Sequence, residues 1–182
     1  MAICNLNRNL LRTTSCGYVL PEIVDIYLIN YSDISATSAT TGTGTSEGCE
    51  AISAITLVTG ANVYHIEPQK NSASFEDTLV VADNGTKYRN ASITFTVPGK
   101  YDACMHGALD ALSLGRYMAV LKTADENYLA FGRISPVEAE TATLAGGSDN
   151  NGMQIVLAGN IAESPLPLTK EAVDALLEKV AE

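Results

Sequence analysis

Two short segments contain residues that could do chemistry, a glycine-rich turn and a cysteine with a nearby histidine. Thr-Gly-Thr-Gly-Thr at 41–45 has glycines spaced as in a loop that could cradle a phosphate. It fits neither GxxxxGK[ST] nor GxGxxG, and no strand–loop–helix pattern surrounds it. Cys104 could act as a nucleophile with His106 as its base, but residues two apart on a helix point to different sides. Neither this pair nor Ser15 or Cys16 completes a catalytic constellation, so the sequence predicts no enzyme and no cofactor.

The residue types that bind transition metals are too scattered to predict a site. Zinc sites need clustered thiolates or imidazoles, often including a CxxC pair. No CxxC occurs among the four cysteines, and His65 is distant in sequence from His106. We expect the cysteines to be reduced thiols packed as small hydrophobic side chains, with a bridge between Cys4 and Cys16 left open. The sequence therefore predicts no metal site.

Two acidic patterns also lack the spacing that a cation site requires. Glu138 and Glu140 are two apart on a predicted strand and share a face, where they could bind a cation, repel each other or face solvent. We expect them to face solvent. Asp-Asn-Asn-Gly at 149–152 lacks the spaced acids and the terminal glutamate of a calcium loop, so it is interpreted as a turn.

The composition is that of an acidic chain with enough apolar residues for a core. Of 182 residues 46% are hydrophobic, and 11 Lys+Arg against 21 Asp+Glu leave a net charge of −10. A chain of this length can bury about 70% of its unfolded surface, which argues against wholesale disorder. No Lys/Arg cluster is present, which argues against a protein that reads nucleic-acid sequence. Without a run of 18 apolar residues or a signal-peptide core, neither a transmembrane helix nor secretion is predicted.

Alternating residues and turn signals predict a mainly antiparallel β structure. The clearest hairpin pairs 74–81 with 87–97 around Asn84 and Gly85, a dipeptide that favours hairpin turns. One predicted helix, 101–114, interrupts the strands with an apolar stripe. The predicted fold is therefore α+β, a sandwich or small barrel with one inserted helix. Further strands are predicted at 17–30, 51–58, 63–67, 117–122, 127–132, 137–144 and 153–158.

Two segments differ from the rest of the chain. Residues 35–46 are only Ser, Ala, Thr and Gly, which cannot bury enough surface to fold alone, so they form a flexible loop or a β-arm ordered against another chain. Thr169 is a predicted N-cap for a helix at 170–182, which is too short to be stable alone and must dock on its own sheet or on a neighbour. We expect one β domain at 1–163, with a loop or arm at 35–48, and a Pro-containing linker and helix at 164–182.

A series of strand, turn and glycine motifs runs between about 63 and 160. Its members are Ser-Ala-Ser-Phe-Glu-Asp-Thr-Leu at 72–79, Asn-Gly-Thr-Lys-Tyr at 84–88, Val-Pro-Gly-Lys at 97–100, the helix at 103–114, the strand at 117–122, the hairpin at 125–132 and Gly-Met-Gln-Ile-Val-Leu-Ala-Gly at 152–159. In this order, over about half of the chain, the sequence resembles tail tube proteins of long-tailed bacteriophages, especially those of gut Bacteroidales phages.

The resemblance implies a tail-tube-like β-sandwich whose sheets join those of neighbouring subunits. Members of this group form rings, typically hexameric, that stack into a conduit for DNA, and related folds serve as tail terminators, neck rings and hubs. It implies a structural virion protein of the tail or neck, made in the host cytoplasm, that contacts other virion proteins and no membrane. A hexameric homo-oligomer is expected, with a dodecameric neck ring as the alternative. The chain departs from the family at 35–46 and in its C-terminal helix. These departures leave open whether the protein builds the repeating tube or a single ring at one end of it.

Two properties of the residues themselves agree with assembly. An arm without a core can satisfy its backbone by pairing with another chain, and such a heterologous contact gives a ring when the rotation closes. An acidic protein suits a conduit in which DNA slides without sticking. Deleting 35–46 is expected to abolish assembly and leave a folded monomer. The predicted subunit contacts are Thr37, Thr40, Thr43 and Thr45 in the arm, and Val173, Leu176, Leu177 and Val180 in the helix.

Two other classes of function are open to the sequence. One is a head-fibre or other surface β-domain that binds a glycan or a partner protein, in which exposed Tyr27, Tyr31 and Tyr64 would stack on sugar rings. The other is a small hydrolase that uses Cys104, Ser15 or the carboxylates, which predicts a cleft containing a perturbed ionisable group.

Overall fold

The computed structural model describes residues 22–41, 49–99, 103–146 and 152–181, with the side chains of residues 103 and 104 left undescribed. Every ladder between its strands is antiparallel, which confirms the predicted mainly antiparallel α+β class. No helix within the described ranges is long and apolar enough to cross a membrane. In chain order the elements are β1 (Ile23–Asn30), a 3₁₀ turn (Tyr31–Asp33), β2 (Ile34–Thr41), β3 (Glu50–Leu57), β4 (Tyr64–Ile66), β5 (Ser74–Val81), β6 (Lys87–Pro98), α1 (Ala103–Leu114), β7 (Arg116–Thr123), β8 (Tyr128–Phe131), β9 (Val137–Ala145), β10 (Gly152–Ile161), β11 (Leu166–Pro167) and α2 (Lys170–Leu177).

Nine of the strands form one large sheet that bends over on itself. β8 and β9 share one edge of β7, while β1 and then β4 lie on its other edge. From β9 the sheet continues through β10 and β6 to β5. The steps from β9 to β10, from β10 to β6 and from β6 to β5 are three strand-to-strand spacings. In a flat sheet they would place β5 about 14 Å from the edge of β7 along which β8 and β9 lie. The rings of Phe75 in β5 and Phe131 in β8 are nevertheless in edge contact, with centroids 5.3 Å apart, so the two halves of the sheet face each other.

The main core fills the space between these halves. It draws on alternate residues of each strand because side chains two apart share a face. In β6 this alternation buries Ala91, Ile93 and Phe95, as the sequence predicts. The other fully or almost fully buried members are Ile26, Leu28, Ala119, Leu121, Phe131, Val137, Ile155, Leu157 and Ile161.

The β5–β6 hairpin pairs the two strands that its sequence predicts, from Ser74 opposite Thr94 to Val81 opposite Lys87. Its turn differs in detail from a tight two-residue Asn-Gly turn. Gly85 alone has a positive φ, +81°, and the amide of Ala82 hydrogen-bonds to the carbonyl of Thr86. The longer connection places the left-handed conformation on glycine, which adopts it without the steric cost of a Cβ.

A second core covers the opposite face of β1, β7 and β8. Tyr27 and Ile29 of β1 and Met118 and Val120 of β7 form its floor. The β2–β3 hairpin and α2 pack over this floor. The buried side chains on this side are Ile52 from β3, Leu176 from α2 and Val63 from the chain before β4. The central strands are thus packed on both faces, which explains their almost continuous apolar sequence.

The Ser/Thr/Ala part of the predicted arm forms an intramolecular hairpin. β2 pairs with β3 from Ile34 opposite Leu57 to Thr41 opposite Glu50. β3 is tied to the rest of the chain through Ile52, whose carbonyl accepts a hydrogen bond from the amide of Thr169 at 2.9 Å. Residues 42–48 lie outside the described residues. Deleting 35–46 would therefore remove all of β2 except Ile34, so substitutions are the cleaner test of this segment.

The C-terminal helix docks on its own chain, one of the two arrangements that the sequence allows. Thr169 is the N-cap, as predicted, and its side chain accepts a hydrogen bond from the amide of Ala172 at 3.4 Å. α2 ends at Leu177, earlier than the predicted helix at 170–182. The following residues pair with Val63 instead, whose amide donates to the carbonyl of Lys179 and whose carbonyl accepts from Ala181, both at 2.9 Å.

α1 lies against the sheet with only part of its predicted apolar stripe buried. Leu112 is buried, Leu109 is half-buried, and Ala108 and Ala111 are exposed. The helix is linked to β7 by Tyr117, whose hydroxyl donates a hydrogen bond to the carbonyl of Ala111 at 3.0 Å.

Tyr117 is expected to make the stability of the fold fall at alkaline pH. Its burial, and to a smaller extent Tyr64, raises the pKa of its phenol above the ordinary value of 10.0. A raised pKa means that folding favours the protonated phenol, so the contribution to the free energy of unfolding is complete below pH 10 and is lost as the pH rises through the folded-state pKa. Tyr117→Phe removes the hydrogen bond and should lower the free energy of unfolding by about 1 kcal/mol at neutral pH. Above pH 10, the free energy of unfolding of the variant should decrease less steeply with pH than that of wild type.

Urea unfolding midpoints between pH 7 and 11.5 measure this effect. Tyr31→Phe is the matched control, because the half-buried Tyr31 also donates its hydroxyl to a backbone carbonyl, that of Ile134, at 2.6 Å, but in a hydrogen bond that is exposed to solvent. Parallel loss of stability in wild type and Tyr117→Phe above pH 10 would contradict the assignment to Tyr117.

Candidate assembly surface

The residues considered for catalysis are not brought together within the described ranges. His106 is exposed on α1, while Ser15, Cys16 and the side chain of Cys104 lie outside the described residues. Cys49 is a free, half-buried thiol. The described structure therefore assembles no nucleophile and base from this set.

The paired carboxylates of β9 lie in solvent. Glu138 and Glu140 are both exposed. Glu138 accepts a hydrogen bond from Nε of Arg116 at 2.7 Å, in an ion pair whose two side chains are more than half exposed. Exposed pairs of this kind contribute little to stability, about 0–1 kcal/mol. Of the glycine-rich segment, Thr41 ends β2 and residues 42–45 are outside the described part.

The outer edge of β5 is an unpaired strand edge with apolar side chains beside it. β5 ends the large sheet, and no strand among the described residues pairs with its outer edge. Phe75 is 41% exposed, Leu79 53% and Val81 56%. These residues share one face with Asp77, which lies between Phe75 and Leu79, and this face is covered near Phe131 and exposed to solvent towards Val81. We call Phe75, Leu79 and Val81, with the strand edge beside them, the β5 edge surface.

An ion pair at the centre of β5 fixes this strand on its neighbour. Arg89 of β6 donates through Nε to Oδ2 of Asp77 at 2.7 Å, and Nη2 of Arg89 lies 2.6 Å from the same oxygen. This hydrogen bond raises the pKa of the Arg89 guanidinium. The Asp77 side chain is 10% exposed, and a charge-assisted pair with such limited solvent access holds the strand in register. The β5 edge surface therefore lies on a strand that this ion pair links to β6.

β2 provides a second unpaired edge of different character. It is the outer strand of a two-stranded sheet, since β3 lies between it and the rest of the chain. Its sequence, Ile-Ser-Ala-Thr-Ser-Ala-Thr-Thr, has no charged residue and no proline. Edge strands commonly carry such residues to prevent pairing with other chains, so β2 lacks the usual protection.

The eight residues predicted to form subunit contacts fall into three groups. Thr40 is exposed and Thr37 half-buried on β2, while Thr43 and Thr45 lie outside the described residues. Leu177 is exposed on α2. The chain itself buries Val173 and Leu176 and half-buries Val180 beside Val63, so these three serve the docking of the helix. A subunit contact through Thr37, Thr40 and Leu177 stays a prediction.

Two of the three tyrosines proposed to stack on sugars are engaged within the chain. Tyr27 is 6% exposed and stacks on His65, with ring centroids 4.9 Å apart. Burial, followed by the charge of Asp25, raises its pKa to about 12. Tyr31 is half-buried and hydrogen-bonded through its hydroxyl. Tyr64 alone of the three is exposed, so these three tyrosines do not form an aromatic platform of the kind expected.

A mostly apolar cleft of about 840 Å³ lies between α1 and the sheet. Leu28, Ile66, Val97, Leu109 and Tyr117 contribute to its lining. Its described lining includes no serine, threonine or cysteine, the residues that a small hydrolase would use as a nucleophile. The lining does include Glu67, His65 and Tyr117, and burial raises the pKa of Tyr117, so the hydrolase alternative stays a prediction.

Sequence reasoning missed one cluster of ionisable side chains. Asp25, His65 and Glu67 each place a possible ligand atom within 4.8 Å of the others. The spacing of His65 and Glu67, two apart on a strand, was a signal that they share a face, but their partner on β1 is 40 residues away and only strand pairing brings it near.

No protein-family model matches the chain, and neither a curated protein nor a solved structure matches it significantly.

Proposed function

We propose that this chain is a structural virion protein that self-assembles into rings of a bacteriophage tail or neck. The observation that carries the proposal is the β5 edge surface, where an eight-residue strand edge that no described strand pairs adjoins three exposed large apolar side chains. Such an edge is a template for pairing with another chain, and burying its apolar residues would stabilise the contact. The resemblance of residues 63–160 to tail tube proteins supports the same function.

The presence of two different strand edges without a partner among the described strands favours rings over a closed dimer. β2 has small uncharged residues, whereas β5 has three large apolar side chains together with Glu76 and Asp77, and the two strands belong to different sheets. A contact between unlike surfaces of identical subunits is heterologous, and it produces a ring when the rotation closes. In the proposed ring, main-chain pairing at these edges supplies the contact, and hexamers or dodecamers differ only in the angle between neighbours.

The charge of the chain supports a role as a conduit for DNA. The net charge of −10 gives the ring an acidic field that repels phosphates. DNA then passes without forming the ion pairs that hold nucleic-acid-binding proteins in place. Neighbouring rings and other virion proteins would contact the ends of the ring.

Light scattering of the purified protein over a concentration series, with electron microscopy of the same fractions, tests the proposal. We expect rings or tubes with a central hole, and the measured mass divided by 19.2 kDa gives the number of subunits. Six subunits in stacked rings would indicate a tail tube, and twelve in single rings would indicate a neck component. A monomer of 19.2 kDa at every concentration would contradict self-assembly and favour the alternative, a surface domain that binds a glycan or a partner protein. Glycan-array binding and partner capture would then test that alternative.

A further inference from the structure

The pairing of β1 with β4 brings three metal-ligating side chains onto one face of the sheet. Tyr27 lies opposite His65 in the ladder, so continuing the register by two residues places Asp25 opposite Glu67. Side chains two apart on a strand share a face. Asp25, His65 and Glu67 therefore stand side by side, at the open end of the face that carries the second core.

The distances among these side chains approach those of a coordination sphere. Nε2 of His65 lies 2.9 Å from Oδ1 of Asp25, and one ligand atom of each of the three residues lies within 4.8 Å of the others. Ligands about 2.1 Å from an ion are separated from their neighbours by about 3.0–3.4 Å. Glu67 is exposed, so rotation of its side chain can close the remaining gap without moving a strand.

Neighbouring residues hold two of the three ligands in place. The His65 ring stacks on Tyr27 at an interplanar angle of 15°. Oδ2 of Asp25 lies 3.3 Å from Nζ of Lys122, which leaves Oδ1 directed at His65. Partners of this kind orient ligands and tune metal affinity.

The electrostatics of the cluster also favour a cation. Asp25 and Glu67 are like charges at facing positions of an antiparallel pair, an arrangement that destabilises the sheet. Lys122 compensates only one of them, from the far side of Asp25. A divalent ion between the two carboxylates would remove the repulsion and link β4, a strand of three residues that pairs only with β1 among the described strands, to the rest of the sheet.

We propose that Asp25, His65 and Glu67 form a binding site for a divalent first-row transition metal, for which Zn²⁺ is the probe. One imidazole and two carboxylates suit Zn²⁺ and its neighbours, whereas Mg²⁺ and Ca²⁺ prefer ligand sets made only of oxygen. The ion takes the position of a proton on Nε2 of His65, and water fills the remaining positions. The site is independent of ring formation.

Isothermal titration of the full chain with Zn²⁺, and with Mg²⁺ as a measure of simple charge attraction, tests this site. Wild type should bind one Zn²⁺ per chain with high affinity and Mg²⁺ far more weakly. His65→Ala should abolish the binding, and Glu67→Gln should weaken it by about tenfold or more. His106→Ala and Glu140→Gln are matched controls, because these residues are also exposed but lie on α1 and β9. Both controls should bind as wild type does.

Co²⁺ spectra distinguish this site from binding by the four cysteines. Thiolate ligands give intense near-ultraviolet charge-transfer absorption, and the nitrogen and oxygen ligands proposed here should not. A thiolate band, Zn²⁺ binding that survives in His65→Ala, or equal affinity for Mg²⁺ and Zn²⁺ would each overturn the proposal. A circular dichroism spectrum of each variant like that of wild type ensures that loss of binding is not loss of fold.

Discussion

The double substitution Leu79→Lys with Val81→Lys is expected to abolish self-assembly and leave a folded monomer. Both side chains are more than half exposed, so lysine at these positions disturbs no core. In a subunit contact each apolar side chain contributes up to about 1.5–3 kcal/mol, and lysines on an edge strand oppose pairing with another chain. Both side chains are already about half buried in the monomer, so each loses about half of that amount. Because 1.4 kcal/mol corresponds to a factor of ten, the concentration needed for assembly should rise by about 10- to 100-fold.

Light scattering and electron microscopy of the variant beside wild type measure this change. Leu144→Lys is the control, since Leu144 is 60% exposed on β9, a strand that is paired with β10. Circular dichroism and urea unfolding should give wild-type values for all three proteins. If the double variant assembles as wild type does, the subunit contact lies away from β5. Equal loss in Leu144→Lys would indicate a general effect of added charge.

Phe131→Ala is expected to cost about 3–5 kcal/mol of the free energy of unfolding. Phe131 is fully buried, and its contact with Phe75 is where the two halves of the bent sheet meet. Truncation removes the ring and leaves a cavity that the surrounding strands can fill only in part. Since domains of this size have about 5–15 kcal/mol of stability in total, the variant should unfold at much lower urea concentrations.

A double-mutant cycle with Phe75→Ala identifies the contribution of the ring contact. Phe75 is partly exposed, so its truncation alone should cost less than that of Phe131. An edge-to-face pair contributes about 0.5–1.5 kcal/mol beyond burial, and this amount should appear as the coupling energy of the cycle. Strictly additive losses would mean that the two rings do not interact in solution and that the sheet bends without this contact.

Local signals were sufficient to predict individual elements and hairpins. Asn84 and Gly85 located the β5–β6 turn, and Thr169 located the start of α2. The order of strands in the sheet could not be predicted in this way. β1 pairs with β7, whose residues are about 90 positions later, and no local pattern specifies such a partner.

The candidate surfaces were less predictable for the same reason. Composition showed that 35–46 favours extended backbone, but its pairing with β3 depends on where Ile52 is buried. Helical periodicity continued to Val180, yet α2 stops at Leu177 because the next backbone groups pair with Val63. Exposure of β5 depends on its position at the end of the sheet, which its own sequence does not encode.

The pairing of Val63 with residues 179–181 has a consequence for the timing of folding. Together with the bridge between Ile52 and Leu168, it joins parts of the chain that are more than one hundred positions apart. Such distant contacts slow folding, because a long loop must close before they form. On the ribosome, β2 and β3 would emerge well before α2. The apolar side of these two strands therefore stays uncovered until α2 has been synthesised. Premature association of nascent chains through these strands is the hazard that this topology carries.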